Sequence, residues 1–239
     1  MRKLLSYMRK AVDDYNMIEE NDRIAVGVSG GKDSIALLSG LNGLKRFYPK
    51  KFELAAITVD MGFDNFDTSK IADYCKDNGI EYIVEKTDIK EIIFDVRKEK
   101  NPCSLCSKMR KGALNTAAVN NGFNKVALGH HYNDVIETFF LCLLYESRIG
   151  CFSPVSYLDR MGVYQIRPLI YAPEGDIKGT VKRLGLPVVE NPCPADGVTK
   201  RQEMKKFIKE LNCNFDSAGE KVFGALKRSG IDGWGIKNN

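Results

Sequence analysis

The hexapeptide Ser29-Gly30-Gly31-Lys32-Asp33-Ser34 brings glycines, a cation, a carboxylate and two hydroxyls to one turn of the chain. It follows the apolar run Ile24 to Val28 and precedes Ile35-Ala36-Leu37-Leu38, so the pattern reads strand, glycine turn, helix. Such a turn aims successive backbone N–H groups, and the positive end of a helix dipole, at one spot. Glycine lets the chain turn tightly and lets an anion approach the backbone. Lys32 adds a mobile positive charge, and Ser29 and Ser34 add hydroxyl donors. The chemistry is phosphate binding. The Walker spacing is absent, and so is the Gly-x-Gly-x-x-Gly of dinucleotide sites.

Cysteine supplies the second set of reactive groups. Asn101-Pro102-Cys103-Ser104-Leu105-Cys106 is a Cys-x-x-Cys at the mouth of a helix, and Asn191-Pro192-Cys193-Pro194 is a further site in a similar setting. Both follow an Asn-Pro, which favours extended or turn backbone. A helix N-terminus with Lys108, Arg110 and Lys111 nearby predicts depressed thiol pKa values. Three uses are open. Structural zinc needs a fourth ligand from elsewhere, and a simple dithiol leaves Cys193 without a role. An iron–sulfur cluster on three cysteines leaves one iron open to sulfide. The chain has seven cysteines, and an odd number argues against a disulfide framework.

These groups need a scaffold. The 239 residues, 44% of them hydrophobic, suffice for one large α/β domain with an appendage. No apolar run is long enough to span a bilayer and Met1 to Leu5 does not start a secretory signal, so the expectation is a cytoplasmic protein without a membrane partner. Net charge is +5, too modest to imply nucleic acid by itself, but Lys200-Arg201, Lys205-Lys206, Lys209 and Lys227-Arg228 concentrate it near the C-terminus.

The pattern predicts an amphipathic helix over 1–20, then strands over 24–29, 52–60, 80–84, 125–129 and 163–166, alternating with helices over 34–47, 107–121, 130–144 and 173–184 and one ending at Asn78. Residues 88–102 have no clear period. That order implies an α/β fold with a doubly wound, mainly parallel five-stranded sheet and helical appendages. The expected divisions are an N-terminal helix (1–20), a nucleotide-binding domain (21–190) and a basic helical appendage carrying Cys193 (191–239). Ligands bind beyond the carboxyl ends of parallel strands, which places Ser29 to Ser34, Asp60 and Gly129-His130 on one rim.

The hexapeptide resembles the pyrophosphate loop (PP-loop) of ATP pyrophosphatases, which carry Ser-Gly-Gly-x-Asp-Ser after their first strand. Over nearly the whole chain the resemblance narrows to the tRNA 2-thiocytidine synthetases. It is carried by Asp14 to Ile18, Ser29 to Ser34, Cys103 to Gly112, Leu128-Gly129-His130-His131, Ile136-Glu137-Thr138, Ile166 to Leu169, Pro192-Cys193 and Arg201-Gln202. The family motif Gly-His-x-x-Asp-Asp-x-x-Glu-Thr reads Asn133-Asp134 here, with Asn in place of the first carboxylate.

The resemblance implies a PP-loop fold of the adenine nucleotide alpha hydrolase type. It implies ATP with Mg²⁺ as co-substrates and a [4Fe-4S] cluster on Cys103, Cys106 and Cys193. Ser29, Gly30, Gly31, Lys32, Asp33, Ser34, Asp60, Gly129 and His130 would bind the nucleotide, and Lys32, Asp33, Asp134 and Arg110 would serve catalysis. The implied reaction adenylates the C2 oxygen of a tRNA cytidine, at position 32, and replaces it with sulfur. The implied partners are tRNA and a sulfur donor, either a cysteine desulfurase or free sulfide, with a homodimer left open. A PP-loop sulfurtransferase for another nucleotide or small molecule, and a lysidine-type amine ligase, are the alternatives. The cysteine set argues against the ligase.

Overall fold

In the computed structural model of the chain, residues 1–97, 99, 102–189, 193 and 200–235 are described. The first strand pairs with two others. β1 (Asp22–Gly27) lies between β2 (Phe52–Asp60) and β4 (Lys125–Ala127), parallel to both, with Val26 opposite Ala56 on one side and Ala127 on the other. β3 (Glu81–Lys86) continues the sheet beyond β2, and β6 (Val163–Ile166) continues it beyond β4. A sixth strand, β5 (Val155–Leu158), runs antiparallel along the β6 edge, giving the order β3-β2-β1-β4-β6-β5. The chain therefore leaves β1 in one direction and returns to its other flank with β4. That reversal opens a crevice at the strand ends, between the loops after β1 and β4.

Alternation along the strands sorts the two faces. Ile24, Val26, Leu54, Ala56 and Ala127 point to one side and pack under α1 (Arg2–Asp14), α2 (Lys32–Lys45), α3 (Ser69–Asp77) and α6 (Glu174–Leu184). Ala25, Ala55, Ile57, Val59 and Val126 point to the other, against α4 (Pro102–Asn120) and a π-helical turn at Glu91–Val96. A third cluster joins α5 (Tyr132–Tyr145) to α7 (Lys200–Asn214) and α8 (Ala218–Ser229) through Ile136, Phe140 and Met204. Trp234 is fully buried and closes the chain on itself, with its Nε1 donating to Phe152 O and its own carbonyl accepting from Tyr15 Oη.

Two expectations need correction. The sheet has six strands, not five. β5 is only half-buried, so its four residues Val-Ser-Tyr-Leu lack a clean alternation. Helix α4 begins at Pro102 rather than Ser107, with proline at the position where its missing N–H costs nothing. Cys103 and Cys106 therefore stand on the helix itself. Residues 101, 191, 192 and 194, which flank the cysteines, lie outside the described residues.

One buried ion pair anchors the far end of the sheet. Lys125 Nζ lies 2.7 Å from Asp22 Oδ2 with both side chains at most 5% exposed, and it also donates to Met17 O. Asp22→Asn leaves that buried ammonium only the exposed Glu19 carboxylate, 3.8 Å away, and is expected to lower stability by about 3–5 kcal/mol in urea unfolding. The double variant Asp22→Leu/Lys125→Met should recover most of the loss.

Candidate active site

The crevice predicted by the strand order is a cavity of about 690 Å³, lined by Ser29, Gly31 to Ser34, Val59, Met61, Phe63, Phe66, Arg110, Leu128 to His130, Asp134, Val188, Val189 and Arg201 among others. Its floor is the hexapeptide. Gly30 holds φ +84°, and Gly31 is the N-cap of α2. Ser34 Oγ accepts from Ser29 N–H at 3.2 Å and donates to Gly31 O at 2.9 Å, so the loop is tied to itself by side chain. The first-turn N–H groups of α2 then face the cavity without intrahelical acceptors.

Gly129 shows how closely the two rims meet. A Cβ there would stand 3.2 Å from the Asp33 carbonyl carbon and the Ser34 nitrogen. Val189 N–H donates to Gly30 O at 3.0 Å, which ties the chain beyond α6 to the same loop.

Ion pairs organise the phosphate end. Lys32 Nζ reaches Asp33 Oδ2 at 2.9 Å and Glu174 Oε1 at 3.0 Å. Partial burial disfavours the Lys32 charge, but its two carboxylate partners outweigh it and raise the pKa. Burial likewise opposes Glu174 ionisation, and Lys32, with Lys205 and His131, overcomes it to bring that carboxyl down to about 2. His131 is the N-cap of α5. Its Nδ1 accepts from Asp134 N–H, and Asp134 Oδ2 accepts from His131 N–H. An accepting Nδ1 leaves the proton of a neutral ring on Nε2, 3.8 Å from Asp33 Oδ1. The second Asp134 oxygen takes Arg201 Nη1 at 2.9 Å, and Arg201 Nη2 meets Thr138 Oγ1 at 3.3 Å.

Asn133, the departure from the family motif, has a structural task. Its Oδ1 accepts from Glu174 N–H at 2.9 Å, capping α6. An amide oxygen serves there as well as a carboxylate would.

The predicted residues divide accordingly. Ser29, Gly31, Lys32, Asp33, Ser34, Gly129, His130, Asp134 and Arg110 line the cavity, and Gly30 shapes its floor. Asp60 does not line it. Its Oδ1 accepts from Gly62 N–H at 2.9 Å, and its neighbours Val59 and Met61 present themselves instead. Cys106 stands beside the cavity, its Sγ 3.6 Å from Met61 Sδ. Its thiol is within electrostatic reach of Arg110, Cys193 and Cys103. The expected pKa depression fails at Cys106. Burial pushes the thiol up, Arg110 offsets only part, and the two neighbouring cysteines add to the rise. Glu174 is a neighbour of the site that the sequence reading did not name, whereas His131, Glu137 and Arg201 entered it only as motif residues of the resemblance, with no role assigned.

The PP-loop domain family matches residues 2–211. This chain is a member of the PP-loop family. Within it, the chain belongs with the tRNA-cytidine(32) 2-sulfurtransferases. It is 39% identical over 231 residues to that enzyme of Geobacter metallireducens, covering 95% of this chain and 87% of the relative. It is 41% identical to that of Pelobacter propionicus, over 88% of this chain and 79% of the relative. Among solved structures, the U34-tRNA thiolase NcsA of Methanococcus maripaludis, determined with its [4Fe-4S] cluster, superposes with a TM-score of 0.78. At 24% identity, covering 94% of this chain and 77% of that one, the likeness is one of fold.

Two outcomes follow for this PP-loop protein. Gly129→Ala forces the two rims apart, and is expected to cost about 1–3 kcal/mol in urea unfolding and to weaken ATP binding in a calorimetric titration. Glu137 supplies a pH test. It is 2% exposed with Oε2 unpaired, Arg201 Nε and Lys205 Nζ each 3.9 Å away. Burial, then Asp134, push its carboxyl up to about 7 against Lys205 and Arg201, and Glu174 adds to the rise. Between the ordinary carboxyl range and pH 7 the folded chain holds a proton that the unfolded chain has released, so this group's contribution falls as pH rises. Glu137→Gln should raise the melting temperature at pH 8 more than at pH 5.

Proposed function

We propose that this protein is an ATP-dependent tRNA sulfurtransferase. It activates the C2 oxygen of a tRNA cytidine, at position 32, as its adenylate and replaces that oxygen with sulfur. The observation that carries the reading is the meeting of two chemistries at one cavity. The PP-loop forms its floor, and α4, with Arg110 on the wall and Cys106 one turn away, forms its side. The sulfurtransferase relatives supply the substrate class.

The cysteines fit a cluster better than a single ion. Among the described residues no three His, Cys, Asp or Glu side chains gather closely enough to hold one ion. Yet the Cys106 thiol is within electrostatic reach of both Cys103 and Cys193. Cys103, Cys106 and Cys193 would hold a [4Fe-4S] cluster, which would supply an open iron as a site for sulfide, the sulfur donor being a cysteine desulfurase or free sulfide. Mg²⁺ supplies charge neutralisation on the ATP phosphates, with Asp33 and Asp134 as the nearby carboxylates.

The chain's own groups do the rest. The N-terminus of α2 and Lys32 hold the β and γ phosphates and stabilise the charge on departing pyrophosphate. Lys32 must exchange Asp33 and Glu174 for phosphate oxygens to do so. Arg110 neutralises the α phosphate as AMP leaves. The apolar wall of Val59, Met61, Phe63 and Phe66 accommodates adenine, with the backbone of residues 59–61 reading its edge. The basic helices α7 and α8, carrying Lys206, Lys209 and Arg228, lie against the tRNA phosphates in the cytoplasm. Among the described residues no helix is long and apolar enough to cross a membrane.

Protein purified without oxygen should carry iron and acid-labile sulfide in about equal amounts, near four each per chain, and stoichiometric zinc without sulfide would overturn the cluster. Lys32→Ala is expected to abolish pyrophosphate release with the iron content unchanged. Cys193→Ala is expected to do the reverse, losing iron and thiolation while ATP still binds. Full iron in Cys193→Ala contradicts the three-ligand arrangement.

A further inference from the structure

Lys32 stands between two places where an anion can sit, one inside the cavity and one outside it. Inside is the phosphate end, bounded by the α2 N-terminus and Asp33. Outside is Glu174, which does not line the cavity yet takes Lys32 Nζ at 3.0 Å.

The two members of that pair differ in freedom. Glu174 is the first residue of α6, and its N–H donates to Asn133 Oδ1 at 2.9 Å. Its carboxylate is gripped from α7 by Lys205, whose Nζ lies 3.4 Å from Oε1 and 3.3 Å from Oε2. Backbone and head group are both tied, so Glu174 cannot follow Lys32 into the cavity. Lys32 carries its ammonium on a flexible stem and is the group that moves. Asp33 differs from Glu174, because it shares the first turn of α2 with Lys32 and lines the cavity beside any ligand. Burial opposes the charge on Glu174, but Lys32, Lys205 and His131 keep it ionised at physiological pH.

A fixed carboxylate that shares the cation competes with every phosphate offered to it. Apparent phosphate affinity falls with the fraction of time Lys32 spends on Glu174. A site that stabilises departing pyrophosphate also retains it as product, and product release limits many enzymes. A competitor for Lys32, anchored outside the cavity, relieves that retention.

We propose that Glu174 is a positioning residue that takes Lys32 back from pyrophosphate, with Lys205 holding it in place, so that the product leaves. The inference rests on the ATP-cleaving half of the reading above and not on which base gains sulfur.

Calorimetry on the anaerobically purified protein tests it, with pyrophosphate and Mg²⁺ as the probe and no tRNA present. Wild type, Glu174→Gln, Lys205→Met and the double variant are compared. Glu174→Gln keeps the shape and removes the charge. It is expected to bind pyrophosphate about three- to tenfold more tightly, and pyrophosphate should inhibit its thiolation reaction at correspondingly lower concentration. Loss of a merely structural contact does not tighten binding. Lys205→Met leaves Glu174 to Lys32 alone and should weaken pyrophosphate binding about two- to threefold, but have no effect in the Glu174→Gln background. Unchanged or weaker binding in Glu174→Gln overturns the proposal, as does a Lys205→Met effect that persists in the double variant. If Glu174→Gln fails to fold by thermal melting, Glu174→Asp, which draws the carboxylate back by one methylene, decides by the sign of the same change. A wild type that adds no sulfur to tRNA while the tightening is present would strike the sulfurtransferase reading, not the Glu174 assignment.

Discussion

The site depends on a backbone-to-backbone approach. The loop after β4 lies so close to the PP-loop that a Cβ on Gly129 would press on the Asp33 and Ser34 backbone at 3.2 Å. That contact follows from the sheet order, because β1 and β4 are neighbours although about a hundred residues of chain separate them. It carries His130, His131 and Asp134 to Lys32 and Asp33, so groups from both strand ends meet at one cavity. A looser junction would keep every side chain and lose the constellation.

Electrostatics then gives each end of the cavity its own character. The floor is a cation, Lys32, held between two carboxylates beside a helix N-terminus. In the proposed reaction a polyphosphate takes the place of those carboxylates at Lys32, so the loop stays charge-compensated with or without nucleotide. Across the cavity Asp134 is held by the α5 cap and by Arg201 from α7, so the appendage packs on the same carboxylate that borders the nucleotide. The Val189 N–H donates to Gly30 O of the same loop.

Much of this was legible in the sequence where the signal is local. The PP-loop is one window whose glycines, lysine and serines all bear on one anion, and the strand-helix alternation around it determines the parallel sheet. Contacts made across the chain were not legible. Arg201 meets Asp134 over a separation of 67 residues, and although Arg201-Gln202 belongs to the resemblance, nothing local says which carboxylate it meets. Glu174 reads as an ordinary first-turn acid of α6, and only the fold brings it to Lys32. Asp60 ends its strand at the expected rim, and its carboxylate is used within its own loop, accepting from Gly62 N–H. The Cys106 thiol departed from expectation because burial against Met61 outweighs the helix terminus and Arg110, and burial is a property of packing.

The central claim is that adenylation and sulfur transfer occur on one base in one cavity. It is tested most directly by incubating the anaerobically purified protein with ATP, Mg²⁺, sulfide and unmodified tRNA and mapping the product nucleosides by mass spectrometry. The account predicts 2-thiocytidine at position 32, formed with one AMP for each sulfur gained. Conversion of ATP to AMP with every cytidine unchanged, or sulfur on a different nucleoside, would contradict it.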